Sequence, residues 1–120
     1  MILLIVEGQN LYRIAYILVD GTMGWFRFLV GFKSPEWEGL TKYVCLKKGE
    51  QTVIVPLHDK EQESYADGET DLESGVWNMY VYGELMENGS VVKRITTDSR
   101  LLEVRKEGDA GYDMEPSLIQ

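Results

Sequence analysis

One cysteine, one histidine and three prolines stand among 120 residues, and no apolar run approaches the length of a membrane span. Cys45 cannot form an internal disulfide, and its setting in "KYVCLK" reads as an inert strand thiol rather than a nucleophile. His58 has Asp59 beside it, but no serine or cysteine in a recognisable nucleophile motif completes a catalytic set, so the pair reads as polar loop residues. No His and Cys spacing suits a metal, no phosphate loop is present, and no cofactor is implied. Basic charge is also scarce. Lys and Arg number 12 against 20 Asp and Glu, for a net charge of -8. That surface repels phosphate backbones and anionic lipid, which argues against nucleic acid and membrane as partners. The apolar opening "ILLIV" follows no basic residue and is too short for the core of a signal peptide, so the chain reads as one made without a secretion signal.

What the chain has in quantity is alternation with period two. Even positions from Tyr12 read Tyr12, Ile14, Tyr16 and Leu18 before the turn pair Asp20-Gly21. In "WFRFLVGF" the even face carries Phe26, Phe28, Val30 and Phe32, and Ser34-Pro35 stops the run. "TKYVCLK" and "QTVIVPL" follow around Lys48-Gly49-Glu50, with Pro56 expected at a strand end or on a sheet edge. In "VWNMYVYGEL" Trp77, Met79, Val81 and Leu85 share one face, while Asn78, Tyr80, Tyr82 and Glu84 share the other. Asn88-Gly89 predicts a type I′ hairpin, because both central residues of that turn need positive φ. Asp98-Ser99 is a weaker turn signal between the last two strands. About eight short strands without a helix predict an all-β domain, an antiparallel β-sandwich or small barrel. The domain is placed at residues 1–107, with 108–120 as a linker-like tail where Gly, Asp and Pro take over. Residues 58–75 carry seven acids and one lysine and are expected to form a loose acidic loop.

Two features could carry binding. Asp67, Glu69, Asp71 and Glu73 alternate, and clustered carboxylates can hold calcium, but their spacing does not match an EF-hand; a solvated loop is the simpler reading. Aromatics are plentiful: three Trp, seven Tyr and three Phe. Trp25 and Trp77 fit core positions. Trp37, in the turn region "KSPEWEGL", and Tyr80 and Tyr82, opposite Trp77, are the candidate interaction residues, because exposed aromatics stack on sugars or anchor protein interfaces. An outward Tyr is also an ordinary strand residue, and that alternative stands beside the first.

The order of landmarks from Thr41 to Pro116 carries a resemblance. It runs through Val55-Pro56, an acidic segment, Gly83 ending "YVYGEL", then Arg94-Ile95-Thr96-Thr97, Leu102 to Val104, and Gly108 to Gly111 with Pro116. In this order the chain resembles the N-terminal β-sandwich domain of tail, baseplate or fibre-associated structural proteins of Gram-positive phages and prophages. The resemblance implies a non-enzymatic virion module that acts through protein–protein contacts. Its partners would be other phage structural proteins or further copies of itself. Its location would be the virion, or the bacterial cytoplasm when expressed from a prophage. The longer proteins continue past such a linker, so the chain is either a short relative or a first domain. A carbohydrate-binding module using Trp37, Tyr80 and Tyr82 is the alternative from another class. A small acidic inhibitor from a mobile element, with the stretch from Asp59 to Glu73 mimicking nucleic acid, is a third.

Overall fold

A computed structural model describes residues 2–16, 25–60 and 64–104. Ten strands make two sheets: β1 (Ile2–Glu7), β2 (Asn10–Tyr16), β3 (Trp25–Phe32), β4 (Thr41–Lys48), β5 (Gln51–Pro56), β6 (His58–Asp59), β7 (Tyr65–Asp71), β8 (Gly75–Glu87), β9 (Ser90–Thr96) and β10 (Arg100–Val104). The first sheet has the order β2-β1-β3-β7-β6. The second has the order β10-β8-β4-β5, with β9 also paired to β8. The expected all-β sandwich is therefore the fold. The count is ten strands rather than eight, and one pair, β1 with β3, is parallel. The opening "ILLIV" is a buried strand between β2 and β3, which explains why it lacks a polar face-partner pattern of its own.

Alternation does the packing. Phe26, Phe28, Val30 and Phe32 of β3 meet Ile2, Leu4 and Val6 of β1 on one inner face. Trp77, Met79 and Val81 of β8 meet Val44 and Leu46 of β4 on the other. Leu11, not its neighbour Tyr12, turns into the core from β2. The Asn88-Gly89 turn is present with φ of 53° and 81°, joining β8 to β9 with Glu87 opposite Ser90. Pro56 ends β5, which lies at the edge of its sheet, so its missing N–H costs no ladder bond. The Asp20-Gly21 turn and the tail from residue 108 lie outside the described residues.

The stretch read as a loose acidic loop is corrected in part: residues 65–71 are a strand paired to β3 along its length, and His58–Asp59 pairs with it from the other side. Ala66, Gly68 and Leu72 are its inward, buried positions. Two of these are small, so no hydrophobic alternation is visible against the acids on the outward positions. Gly68 is small for a reason. A Cβ there would lie 2.4 Å from the Pro56 carbonyl oxygen, where the chain crosses from the second sheet to the first. The opposite seam is closed by the β9–β10 connection. Asp98 N–H donates to the Gln9 carbonyl at 2.9 Å, and the Leu11 N–H donates to the Asp98 carboxylate at 2.8 Å. Thr97 is buried beside it, its Oγ1 accepting from the Val81 N–H at 3.0 Å and donating to the Asp98 carbonyl at 2.7 Å.

Replacing Gly68 with alanine forces backbone apart rather than bending a side chain. It should destabilise the domain by about 1–3 kcal/mol, read as a lower urea midpoint at unchanged m-value; an unchanged midpoint would mean that the crossing is loose.

Candidate functional site

The second sheet presents its outer face through β8 and β4. Their antiparallel register puts Tyr82 opposite Tyr43, Tyr80 opposite Cys45 and Glu84 opposite Thr41, and β5 adds Ile54 beside Cys45. Residues opposite each other across a ladder share a face and touch. The Tyr43 and Tyr82 rings stack at 4.9 Å between centroids and 22° between planes. On the other side of Tyr82, the Arg94 guanidinium from β9 lies 4.4 Å from the ring centroid. Both ring faces of Tyr82 are thus covered, which explains why it is only 8% exposed despite facing outward. Tyr80 is tilted against Tyr82 at 6.2 Å, and Lys47 reaches over its ring at 5.9 Å. Arg94 also approaches Glu84 at 3.5 Å.

The phenols of Tyr80 and Tyr82 are both shifted upward by their surroundings. Tyr80 is pushed up to about 12, first by its hydrogen bond with the Cys45 thiol and then by burial. Tyr82 is raised by burial first, with the Glu84 charge adding to it. Both phenols are held neutral, which suits contact rather than proton transfer near neutral pH. Around this row exposed apolar side chains are interspersed with Lys47 and Asn78. Ile54 is 51% exposed and Leu101 is 61% exposed, and Val76 is open on β8. The register places Leu101 opposite Asn78 and Ile54 opposite Cys45, so these side chains lie on the same outer face as the tyrosines. Beyond Glu84, β8 leaves β4 and continues with β9 alone as a two-stranded arm, and Met86, Val91 and Val92 are half exposed on it.

Of the three residues expected to form an interaction surface, Tyr80 and Tyr82 are adjacent on this face and Trp37 is elsewhere. Trp37 is 0% exposed, a correction to its reading as a surface aromatic. It sits at the end of a 3-10 turn, Pro35–Trp37, that folds it back between the sheets. Its indole N–H donates to the Gly8 carbonyl at 2.8 Å, and its ring meets Phe32 at 5.2 Å. Gly83 makes the room: a Cβ there would lie 3.1 Å from the Trp37 ring. Trp25 is the reverse correction. Expected in the core, it is 49% exposed, because it shares the odd, outward face of β3 with Arg27. The odd register of "WFRFLVGF" was the available signal.

The other candidates resolve structurally. Cys45 is buried against Tyr80. Asp59 pairs with Lys42 at 3.4 Å, and His58 stands exposed on β6. Among the alternating acids, Asp67 is bonded to Arg27 at 2.7 Å and to Lys60 at 3.1 Å, and the Arg27 hydrogen bond holds its carboxyl below the usual range. Glu73 is held low first by its hydrogen bond from Gln51 and then by that from Lys48. Among the described residues, no three side chains capable of binding a metal come together. No helix among them is long and apolar enough to cross a membrane. Comparison with protein-family models, with curated proteins and with solved structures found no match to this chain.

Two measurements check this site. Trp37→Ala should cost about 3–5 kcal/mol as a core cavity, whereas a surface aromatic would cost almost nothing in a denaturant titration. The raised phenol of Tyr80 stabilises the fold fully below the ordinary tyrosine value of 10.0, and that contribution is lost as pH rises towards about 12, because the unfolded chain releases its proton first. Melting temperature should therefore fall through this alkaline window, and Tyr80→Phe should flatten the fall; an identical pH profile in the variant would remove the assignment.

Proposed function

We propose that the chain is a non-enzymatic assembly module that works by protein–protein contact through the outer face of its second sheet. The observation that carries this reading is the gathering of tyrosine and exposed apolar side chains on one sheet face: Tyr43, Tyr80, Ile54, Val76 and Leu101 stand around Asn78 and Lys47, and Met86, Val91 and Val92 are half exposed on the arm beyond the Arg94–Glu84 pair. Large apolar side chains left exposed together on one face point to a partner surface. Arg94 and Glu84 stand at one end of it and Lys47 and Asn78 lie within it, a mixture of apolar and polar groups found in interfaces between separately folded chains. The tyrosines are pre-ordered by stacking, so little side-chain entropy remains to be lost on docking.

The sequence resemblance supplies the setting for this chemistry: a structural protein of a phage or prophage tail, in the virion or in the bacterial cytoplasm before assembly, with further tail proteins or copies of itself as partners. The acidic surface fits such a role by keeping unassembled chains apart until the apolar faces meet. A sugar-binding role for the tyrosine row is less well supported, since Tyr82 has both ring faces covered and Trp37 is in the core.

Light scattering behind size-exclusion chromatography, over a concentration series, is the direct test. A defined oligomer is expected, and Leu101→Lys or Ile54→Lys, each at an exposed position, should weaken it at least about tenfold without lowering the melting temperature. A strict monomer at every concentration, or an oligomer indifferent to both substitutions, would overturn self-assembly through this face.

A further inference from the structure

The outer face of the first sheet has a different chemistry. Here the geometry points to a binding site for neutral oligosaccharides, with Trp25 as the stacking platform. Trp25 opens β3 with half of its surface exposed, and an open groove of about 540 Å³ runs beside it. The groove is lined by Trp25, Arg27, Pro56, His58, Asp67 and Glu69 together with the backbone at Gly68. Its volume lies within the usual range for small-ligand sites.

Trp25, Arg27, Asp67 and Glu69 are held in place before any ligand arrives. The indole N–H donates to the Glu69 carboxylate at 3.2 Å. The Arg27 guanidinium donates to Asp67 at 2.7 Å, and Lys60 donates to the same carboxylate at 3.1 Å. These groups lie on paired strands, Arg27 directly opposite Glu69 and His58 directly opposite Asp67, so their spacing is set by the ladder and not by a loop. Capacity remains after these bonds. A carboxylate accepts along about four lone-pair directions and a guanidinium carries five N–H donors, while one or two are engaged here.

A sugar ring demands this combination. Its C–H face is weakly apolar and packs on a flat aromatic surface, and its ring of hydroxyls both donates and accepts at the edge. Planar side chains that are already oriented meet those hydroxyls at low entropic cost. The charge balance selects among sugars. Asp67 and Glu69 stand against Arg27 among the lining residues, so the groove carries a slight excess of negative charge and disfavours acidic glycans. Apart from its bond to Glu69, Trp25 leaves a large aromatic face exposed on the sheet.

The two remaining tryptophans, Trp37 and Trp77, are fully buried, so a change in tryptophan emission on adding a saccharide reports on Trp25. The probes are maltotetraose, cellotetraose and chitotetraose, with polygalacturonate as the acidic control. A saturable emission change with at least one neutral probe, absent with polygalacturonate, is expected. Trp25→Ala should abolish it, and Arg27→Ala or Glu69→Ala should weaken binding at least about tenfold. Saturation-transfer NMR on the sugar protons gives the same answer without relying on fluorescence. The inference is overturned by no saturable response in either method with any neutral probe at concentrations up to about 10 mM, far above the millimolar affinity that a weak single-ring site provides. It is equally overturned by binding that survives in Trp25→Ala. Trp25 is exposed and on the opposite sheet from the assembly face, so the variant should fold and keep its oligomeric state; failure here leaves the assembly reading standing.

Discussion

The sandwich is held shut at one end by a single indole. Trp37 enters between the sheets from a three-residue turn and touches three parts of the chain at once. Its N–H is bonded to the β1–β2 turn at Gly8, its ring meets Phe32 of β3, and it fills the notch left at Gly83 of β8. That notch exists only because β8 carries glycine at an inward position where Trp77, Met79 and Val81 stand further along. Burying an aromatic of this size contributes several kcal/mol, and its N–H would cost dearly if left without an acceptor. The turn that delivers it begins at Pro35, whose ring sets φ for the first residue of the 3-10 segment. Without this plug the two inner faces would meet an open end.

The remaining closures use different chemistry for the two long seams. At one, a chain crossing at Pro56 and Leu57 carries the second sheet into the first, and Gly68 lets the backbones approach. At the other, Thr97 and Asp98 bond the β9–β10 connection to β2 and β8. What results is a sandwich with two faces of contrasting character. The second sheet shows stacked tyrosines and aliphatic side chains; the first shows a tryptophan set among fixed ions. The proposed assembly face and the proposed sugar site therefore lie on opposite sheets and do not compete for a surface.

The parts legible in the sequence are those where a full-sized side chain marks each inward position. β3 and β8 alternate without interruption, and Asn88-Gly89 declares its own turn. β7 was hidden because its inward places are Ala66 and Gly68, which carry no hydrophobic signal, while its outward acids resemble a solvated loop. β1 was hidden for the opposite reason. Flanked on both sides by other strands, it is apolar from Ile2 to Val6 and shows no period. The exchange of roles between Trp25 and Trp37 has a simple cause. A turn residue was assumed to be exposed and a strand residue buried, but the face of a strand is set by parity, and a turn can point inward when a glycine across the core makes space. The tyrosine row was visible as a face; its stacking was not, since the register between β4 and β8 depends on pairing at long range.

The arm beyond Glu84 differs from the other described strands in how it must melt. Along Leu85 to Ser90 each strand has one neighbour, and a two-stranded ribbon in water is barely stable by itself. It can fray and reform while the plugged sandwich behind it stays intact, a separate cooperative unit at the low end of the stability scale. Its tip is therefore an adjustable element on a rigid body. Whatever settles on Met86, Val91 and Val92 gains area by ordering them, and gives back part of that gain as lost motion. Affinity at this end can in this way be tuned by substitutions in the turn alone, through the stiffness of the ribbon and with no change to the surface that is touched.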